Sequence, residues 1–251
     1  MLVTLADGVF AERYGAPPAR VLALPGWMRT RADFDRVLTG LDALSVDLPG
    51  FGGASAPPSV PGGSATYATA LEPALTAGLL AERFVIVGHS FGGRVAAILA
   101  ARHPERIRGL VLVASPLLAR DDRPEPRVSW RHRAARLANR LGLLSDARLE
   151  ARRRQHGSTD YRQASGVMRA VLVDVVHESY DSELSGIARA GIPIELVWGG
   201  HDPDVPVRTA ERLCTLFGPA AHLTVVESAA HLVLLERPDK LRAAIDRLLD
   251  R

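Results

Sequence analysis

Cysteine is almost absent from this chain of 251 residues, and its scarcity excludes several kinds of site. Cys214 is the only cysteine, so no disulfide can form within the chain and no cysteine-based zinc site is possible. We therefore expect a reducing, cytoplasmic environment. Long hydrophobic runs are also lacking, because no 18 consecutive residues are apolar, and we expect no transmembrane helix. Residues 1–10 carry no basic residue ahead of a long apolar stretch, so they do not resemble a secretory signal.

Lysine is as scarce as cysteine. Lys240 is the only lysine among 31 basic side chains, so the formal net charge of +3 reflects arginine. No stripe of basic residues alternates with aromatic ones, and aromatic residues make up only 5% of the chain. Nucleic-acid binding is therefore not expected. No group of His, Asp and Glu has the spacing of metal ligands, so we also expect no metal and no cofactor.

What the sequence does contain is typical of one globular α/β domain, with 47% hydrophobic and 24% charged residues. An initial β-hairpin is predicted at residues 2–5 and 9–14. Helical patterns at residues 31–40 and 65–81, the second with Ser64 as its N-cap, alternate with apolar runs. Those runs predict buried strands at residues 21–24, 43–47, 84–87, 107–114, 192–198 and 222–226. This alternation predicts a mostly parallel sheet with helices on both faces.

The alternation is interrupted after residue 116. From 117 to 185 no clear strand occurs, apolar residues recur at helical spacing, and arginine is dense. We interpret residues 1–116 and 186–251 as a core domain, and residues 117–185 as a helical cap inserted into it. Its arginines, ten between Arg123 and Arg154, suit either a solvated helical surface or the attraction of an anionic substrate or an acidic carrier.

A serine stands at the joint between a predicted strand and a predicted helix. Residues 88–92 read Gly-His-Ser-Phe-Gly, which fits the Gly-x-Ser-x-Gly pattern of a nucleophile elbow. The glycines matter because Ser90 must adopt a strained backbone conformation in a tight turn, where larger side chains two positions away would collide. Ser90 is therefore a candidate nucleophile, and an ordinary glycine-rich turn is the alternative.

Two further polar residues follow predicted strands in the same way. A serine hydroxyl needs a base within hydrogen-bond reach, and that base is itself oriented by an acid. Asp202 and His231 each lie in a loop directly after a strand, and such loops gather at the carboxyl edge of a parallel sheet. Gly26 also follows a strand, which makes the backbone amide of Trp27 a candidate oxyanion-hole donor; a plain turn is the alternative.

Together these segments resemble the α/β-hydrolase-fold serine hydrolases over nearly the whole chain. The resemblance rests on the following segments: Leu24–Trp27, Asp47–Gly52, Gly88–Gly93, Gly199–Pro203 with Pro206, and Ala230–His231. The chain order Ser, Asp, His is the order of this family. One departure is visible, since many members carry His-Gly where this chain has Pro25-Gly26.

The resemblance implies roles for five residues. Ser90 would be the nucleophile, His231 the general base and then acid, and Asp202 the group that orients His231. The amides of Trp27 and Phe91 would form the oxyanion hole. Asp204 is a less favoured alternative to Asp202, because it does not match the family's spacing after Gly199.

We expect a carboxylesterase that cleaves an ester of a small or medium acyl group through an acyl-enzyme. The substrate is expected to be a small-molecule ester, and the arginine-rich cap leaves open an anionic or carrier-linked one, as for methyl esterases that act on acyl-carrier-linked esters. Hydrolysis of a thioester, or of a carbon-carbon bond in a vinylogous diketone, would use the same three residues and stays open. A ligand receptor without catalysis is an alternative of another class.

Overall fold

The computed structural model describes residues 1–6, 8–55, 62–119 and 164–251, and its centre is a sheet of eight strands. The strands are β1 (Leu2–Ala6), β2 (Val9–Tyr14), β3 (Ala19–Leu24), β4 (Ala43–Asp47), β5 (Leu80–His89), β6 (Ile107–Val113), β7 (Ile194–Gly199) and β8 (Ala221–Val226). They lie in the order β1-β2-β4-β3-β5-β6-β7-β8. Only the pairs β1–β2 and β2–β4 are antiparallel. The predicted hairpin and the mostly parallel α/β sheet are both confirmed.

Helices connect most of these strands. Those in the described residues are α1 (Asp35–Leu38), α2 (Ser64–Thr76), α3 (Phe91–Arg102), α4 (Gly166–Val175), α5 (Asp181–Ala190), α6 (Val207–Phe217), α7 (Val233–Glu236) and α8 (Pro238–Leu249). Short 3₁₀ turns occupy Arg31–Phe34, Pro104–Arg106 and Gly218–Ala220. None of the described helices has both the length and the apolar character needed to cross a bilayer.

The central strands are buried on both faces because helices cover each side. Along β5, Phe84 and Ile86 belong to an apolar cluster with α2, α3, α5 and α6. Val85 and Val87 point to the opposite face, where they join a second cluster with α1 and α8. Successive side chains of a strand face opposite sides, so a strand covered on both sides is apolar at every position. This is why residues 84–87 of β5 can be recognised in the sequence as a continuous apolar run, whereas the first half of the strand, which includes exposed Glu82 and Arg83, was not predicted.

Three features of the predicted helices differ from the structure. Ser64 is not an N-cap but the first residue of α2, because Glu178 takes its N–H and its hydroxyl, both at 2.7 Å. The same helix ends at Thr76 rather than at residue 81, since Gly78 turns with φ +70° and β5 begins at Leu80. The predicted helix 31–40 is a 3₁₀ turn followed by the four-residue α1.

Most of the predicted cap, including its arginine-rich stretch 123–154, lies outside the described residues. The described part of residues 117–185 contains α4 and the first half of α5. Helix α5 continues to Ala190 and packs against α3, where a Cβ on Gly186 would lie 3.8 Å from Ala101. The expected boundary at residue 185 therefore falls within a helix. The division into core and cap remains a prediction.

Candidate active site

Ser90 occupies the sharp turn between β5 and α3. Its backbone has φ +49° and ψ −113°, a conformation that L-residues rarely adopt and that stores strain. A Cβ on Gly88 would lie 2.5 Å from the carbonyl oxygen of Gly92, so the turn closes only with glycine at that position. The Ser90 N–H donates to the Val113 carbonyl at 2.8 Å, which fixes the turn to β6. The hydroxyl is thereby presented at the carboxyl edge of the sheet.

His231 and Asp202 form a hydrogen-bonded pair at the same edge. The distance from Nδ1 of His231 to Oδ2 of Asp202 is 2.8 Å, and Asp202 is only 8% exposed. Its other oxygen, Oδ1, accepts the backbone N–H groups of Asp204 at 2.8 Å and Val205 at 2.9 Å. An ionised carboxylate only accepts hydrogen bonds, so Nδ1 carries the ring proton and Nε2 keeps a free lone pair. That lone pair is what a general base needs.

The three predicted triad residues meet at one cleft. A cavity of about 700 Å³ is lined by Ser90 and His231 together with Trp27, and Asp202 lies behind His231. No hydrogen bond joins the Ser90 hydroxyl to His231 in this structure. Nucleophile–base hydrogen bonds are often long before substrate binds, so this geometry is compatible with general-base catalysis.

Two backbone amides near Ser90 are the predicted donors of an oxyanion hole. The N–H groups of Trp27 and Phe91 donate no hydrogen bond within the part of the chain that the structure describes. Phe91 opens the twelve-residue helix α3, where the helix dipole favours negative charge. Gly92 keeps the two loops together, because a Cβ there would overlap the carbonyl oxygens of Leu24 and Pro25. Both amides therefore lie at the turn that carries the candidate nucleophile.

Part of the remaining cleft is formed by residues to which the sequence analysis gave no role. They come from two segments beyond the elbow, Pro116–Ala119 and Val176–Ser179, and from the arginines Arg29 and Arg94. The second segment is held by Glu178, which bonds Ser64 and Tyr180, while Arg94 bonds the Val175 carbonyl and Tyr180. Apart from the bond between Glu178 and Tyr180, these contacts join positions more than 80 residues apart, and no local pattern signals them.

His201, His222 and Asp204 take no side-chain part in the hydrogen bond between Asp202 and His231. His201 is exposed, and His222 bonds Glu195 at 2.9 Å at the opposite edge of the sheet. Asp204 is exposed and contributes its backbone rather than its carboxylate to the pair. Asp202, Asp204 and His231 each offer one ligand atom within 4.8 Å of the others. These are the described residues that could hold a cation, but the hydrogen bond between Asp202 and His231 already accounts for two of them.

Comparison with known proteins gives the family. A family model described as the alpha/beta hydrolase fold matches residues 21–162. The chain belongs to the α/β-hydrolase-fold family. This α/β hydrolase is 31% identical over 259 residues to a pimeloyl-[acyl-carrier protein] methyl ester esterase of Neisseria meningitidis, covering 92% of this chain and 94% of the relative. An esterase of the same description from Aeromonas hydrophila is 37% identical over 122 residues, 46% of each chain.

Solved structures agree on the fold of this α/β hydrolase. A putative lipase from Acinetobacter baumannii has a TM-score of 0.72 at 19% identity, covering 100% of this chain and 90% of the other. A hydrolase from Pseudomonas aeruginosa has a TM-score of 0.70 at 22% identity, covering 100% and 98%. The resemblance drawn from sequence to an esterase-like α/β hydrolase is thus confirmed.

The buried histidine of this hydrolase makes its stability depend on pH. Burial, with a smaller effect from neighbouring His231, lowers the pKa of His89 to about 3, whereas histidine in an unfolded chain titrates near 6.5. Between these values the unfolded chain binds a proton that the folded chain does not. The contribution of neutral His89 to the stability of the fold is therefore fully present above about pH 6.5, and it is lost progressively as the pH falls toward 3.

Between about pH 7 and pH 5, the free energy of unfolding of the wild type should fall by about 2 kcal/mol more than that of the variant His89→Leu. Urea unfolding of both proteins at the two pH values measures this difference. The exposed histidine gives the control, since His201→Ala should keep the wild-type pH dependence. Equal losses in His89→Leu and the wild type would contradict the prediction.

Proposed function

We propose that this α/β hydrolase cleaves carboxylic esters of small or medium acyl groups through an acyl-enzyme on Ser90. The observation that carries the proposal is the 2.8 Å bond between His231 and a buried Asp202, in a cleft that His231 shares with a positive-φ serine. Strain at the serine and an oriented neutral imidazole are both costly to maintain, and serine hydrolysis requires both. Esterase-named relatives support the same chemistry.

The reaction proceeds in two halves. The Ser90 oxygen attacks the ester carbonyl carbon while Nε2 of His231 takes the hydroxyl proton, and Asp202 stabilises the resulting imidazolium. The carbonyl oxygen becomes an oxyanion that accepts hydrogen bonds from the amides of Trp27 and Phe91. The bond to the alcohol then breaks, and His231 protonates the departing alkoxide. In the second half His231 deprotonates a water that attacks the acyl-enzyme, and the carboxylic acid leaves as Ser90 regains its proton.

The test is a chain-length series of p-nitrophenyl esters, together with intact-mass analysis after treatment with a fluorophosphonate. Turnover that peaks at one acyl length, with a single phosphonyl adduct on Ser90, is the expected result. Labelling of Ser90 without ester turnover would direct the search to thioesters and vinylogous diketones, which the same residues could cleave. Absence of both turnover and labelling would contradict the proposal and favour a receptor.

A more specific proposal is that the ester substrate is linked to an acyl-carrier protein. It is supported by relatives named for esters on an acyl-carrier protein and by the ten arginines between residues 123 and 154, which lie outside the described residues. Clustered positive charge accelerates the encounter with an acidic carrier, and salt screens it.

We expect kcat/KM for an acyl-carrier-linked methyl ester to fall about 10-fold or more between low and high salt. Reversing Arg152, Arg153 and Arg154 to glutamate should lower the low-salt value and flatten this dependence. The exposed arginines of the double variant Arg189→Glu/Arg251→Glu provide the control, which should behave as the wild type. A salt-independent rate, unchanged by the triple reversal, would contradict the carrier-linked form while leaving the ester hydrolase intact.

A further inference from the structure

His89 connects the two loops that carry the nucleophile and the base. It precedes Ser90 in the elbow, and its side chain is 1% exposed. Its Nε2 lies 3.0 Å from the backbone carbonyl oxygen of His231, and the two imidazole centroids are 4.9 Å apart. Because a carbonyl oxygen only accepts, Nε2 must carry the hydrogen and donate it. The backbone of the catalytic base is therefore tied to the residue beside the nucleophile.

The other ring nitrogen of His89 is a hydrogen-bond acceptor that is left unpaired. Nδ1 is buried and has no hydrogen-bond partner among the described residues. A Cβ on Gly26 would lie only 2.8 Å from it, so the loop that carries Trp27 closes directly over the ring. A buried acceptor without a partner is unfavourable, and a leucine of similar volume would avoid it. Folding alone gives no reason for histidine here, so its use points to the bond with His231.

We propose that His89 is a positioning residue, which fixes the backbone of His231 so that its imidazole lies between Asp202 and Ser90. The proposal rests on the proposed function, in which His231 is the base. The side chain of His231 is already held at Nδ1 by Asp202, and the carbonyl bond holds the same residue at its main chain. Two anchors on one residue limit both the rotation of the ring and the movement of its loop, and small displacements of a catalytic group carry large costs in rate.

The donor at this position must also remain uncharged. His231 becomes an imidazolium during the reaction, and a second cation against it would oppose that change. Burial lowers the pKa of His89 to about 3; the charges of His231 and Arg29 act in the same direction, and the hydrogen bond to the His231 carbonyl and the charge of Asp202 act against it. His89 is thus neutral wherever the enzyme could work. A glutamine would likewise donate without charge, which makes it the conservative variant.

The experiment compares His89→Gln, which keeps a neutral donor, with His89→Leu, which removes it at similar volume. Both are assayed for kcat and KM on the best p-nitrophenyl ester, for the rate of Ser90 labelling by a fluorophosphonate, and for melting temperature. For His89→Leu we expect kcat and the labelling rate to fall about 10- to 100-fold, with KM within about 2-fold and the melting temperature within about 5 °C. His89→Gln should recover most of the lost rate. His222→Gln, which alters a histidine at the opposite edge of the sheet, should behave as the wild type.

Ser90→Ala is assayed in the same experiment, so that a failure of the proposed function can be distinguished from a failure of the positioning role of His89. Full activity in Ser90→Ala would overturn the proposed function itself. If Ser90→Ala is inactive and folded His89→Leu keeps kcat within about 2-fold, His89 has no positioning role. The inference is also overturned if His89→Gln, folded, is as slow as His89→Leu. If His89→Leu does not fold, a His89→Gln variant with wild-type KM and near-wild-type rate supports it, and a large loss in that variant refutes it.

Discussion

Replacing Ser90 with alanine is expected to lower kcat for ester hydrolysis by about 10⁴- to 10⁶-fold. The hydroxyl is the only group of the elbow that can form the acyl-enzyme, and the amides of Trp27 and Phe91, the proposed oxyanion hole, cannot supply a nucleophile. His231→Ala should cause a loss of the same order, because the two residues act as a unit, and the double variant should be little worse than either. Initial rates on the best p-nitrophenyl ester measure all three.

A serine outside the cleft provides the control for this prediction. Ser185 lies on α5 and its hydroxyl bonds the carbonyl of Asp181 at 2.7 Å, so Ser185→Ala should keep wild-type kcat. Circular dichroism of each variant excludes unfolding as the cause of a loss. A folded Ser90→Ala protein with more than about 1% of wild-type kcat would show that Ser90 is not the nucleophile.

Replacing Asp202 with asparagine is expected to lower kcat by about 10⁴-fold while the fold stays intact. The N–H groups of Asp204 and Val205 require an acceptor at Oδ1, so the amide oxygen takes that place. The amide NH₂ then faces His231 and donates to Nδ1. The tautomer of His231 is thereby reversed, and its ring proton lies on Nε2. Nε2 can then no longer accept the proton of Ser90.

The neighbouring aspartate distinguishes this explanation from a general loss of negative charge. Asp204→Asn removes the same charge two residues away and keeps the backbone N–H that bonds Asp202, so kcat should stay within about 3-fold of the wild type. Rates across the pH range would be measured for both variants. A large loss in Asp204→Asn with little in Asp202→Asn would make Asp204 the acid of the triad, which the sequence left as the less favoured alternative.

Much of the fold could be predicted because its signals are local. Residues 84–87 of β5 are all apolar since both faces of the strand are covered there, and residues 88–92 carry the glycines that the turn itself requires. The placement of Asp202 and His231 at one edge also followed, because parallel strands end together. Their catalytic roles remain predictions.

The contacts that were not predicted join distant parts of the chain. Ser64 reads locally as an N-cap, yet Glu178, 114 residues later, takes its hydroxyl and N–H. The bond from His89 to the His231 carbonyl spans 142 residues and involves a backbone atom, which no residue type marks. Helix α2 ends early for a similar reason, since pairing of Leu80 within the sheet outweighs the helical preference of residues 77–81.

The contact of Gly92 with the carbonyls of Leu24 and Pro25 bears on how new activities could be engineered. It brings the end of β3 against α3 without an intervening side chain, so any larger residue at position 92 would push the loop of Trp27 away from Phe91. That wall of the cleft offers no freedom for altering substrate choice. The lining segment Val176–Ser179 is instead attached through the side chains of Glu178 and Arg94, with no backbone-to-backbone overlap of this kind. Directed evolution toward other acyl groups should therefore accumulate substitutions there and leave the wall around Gly92 unchanged.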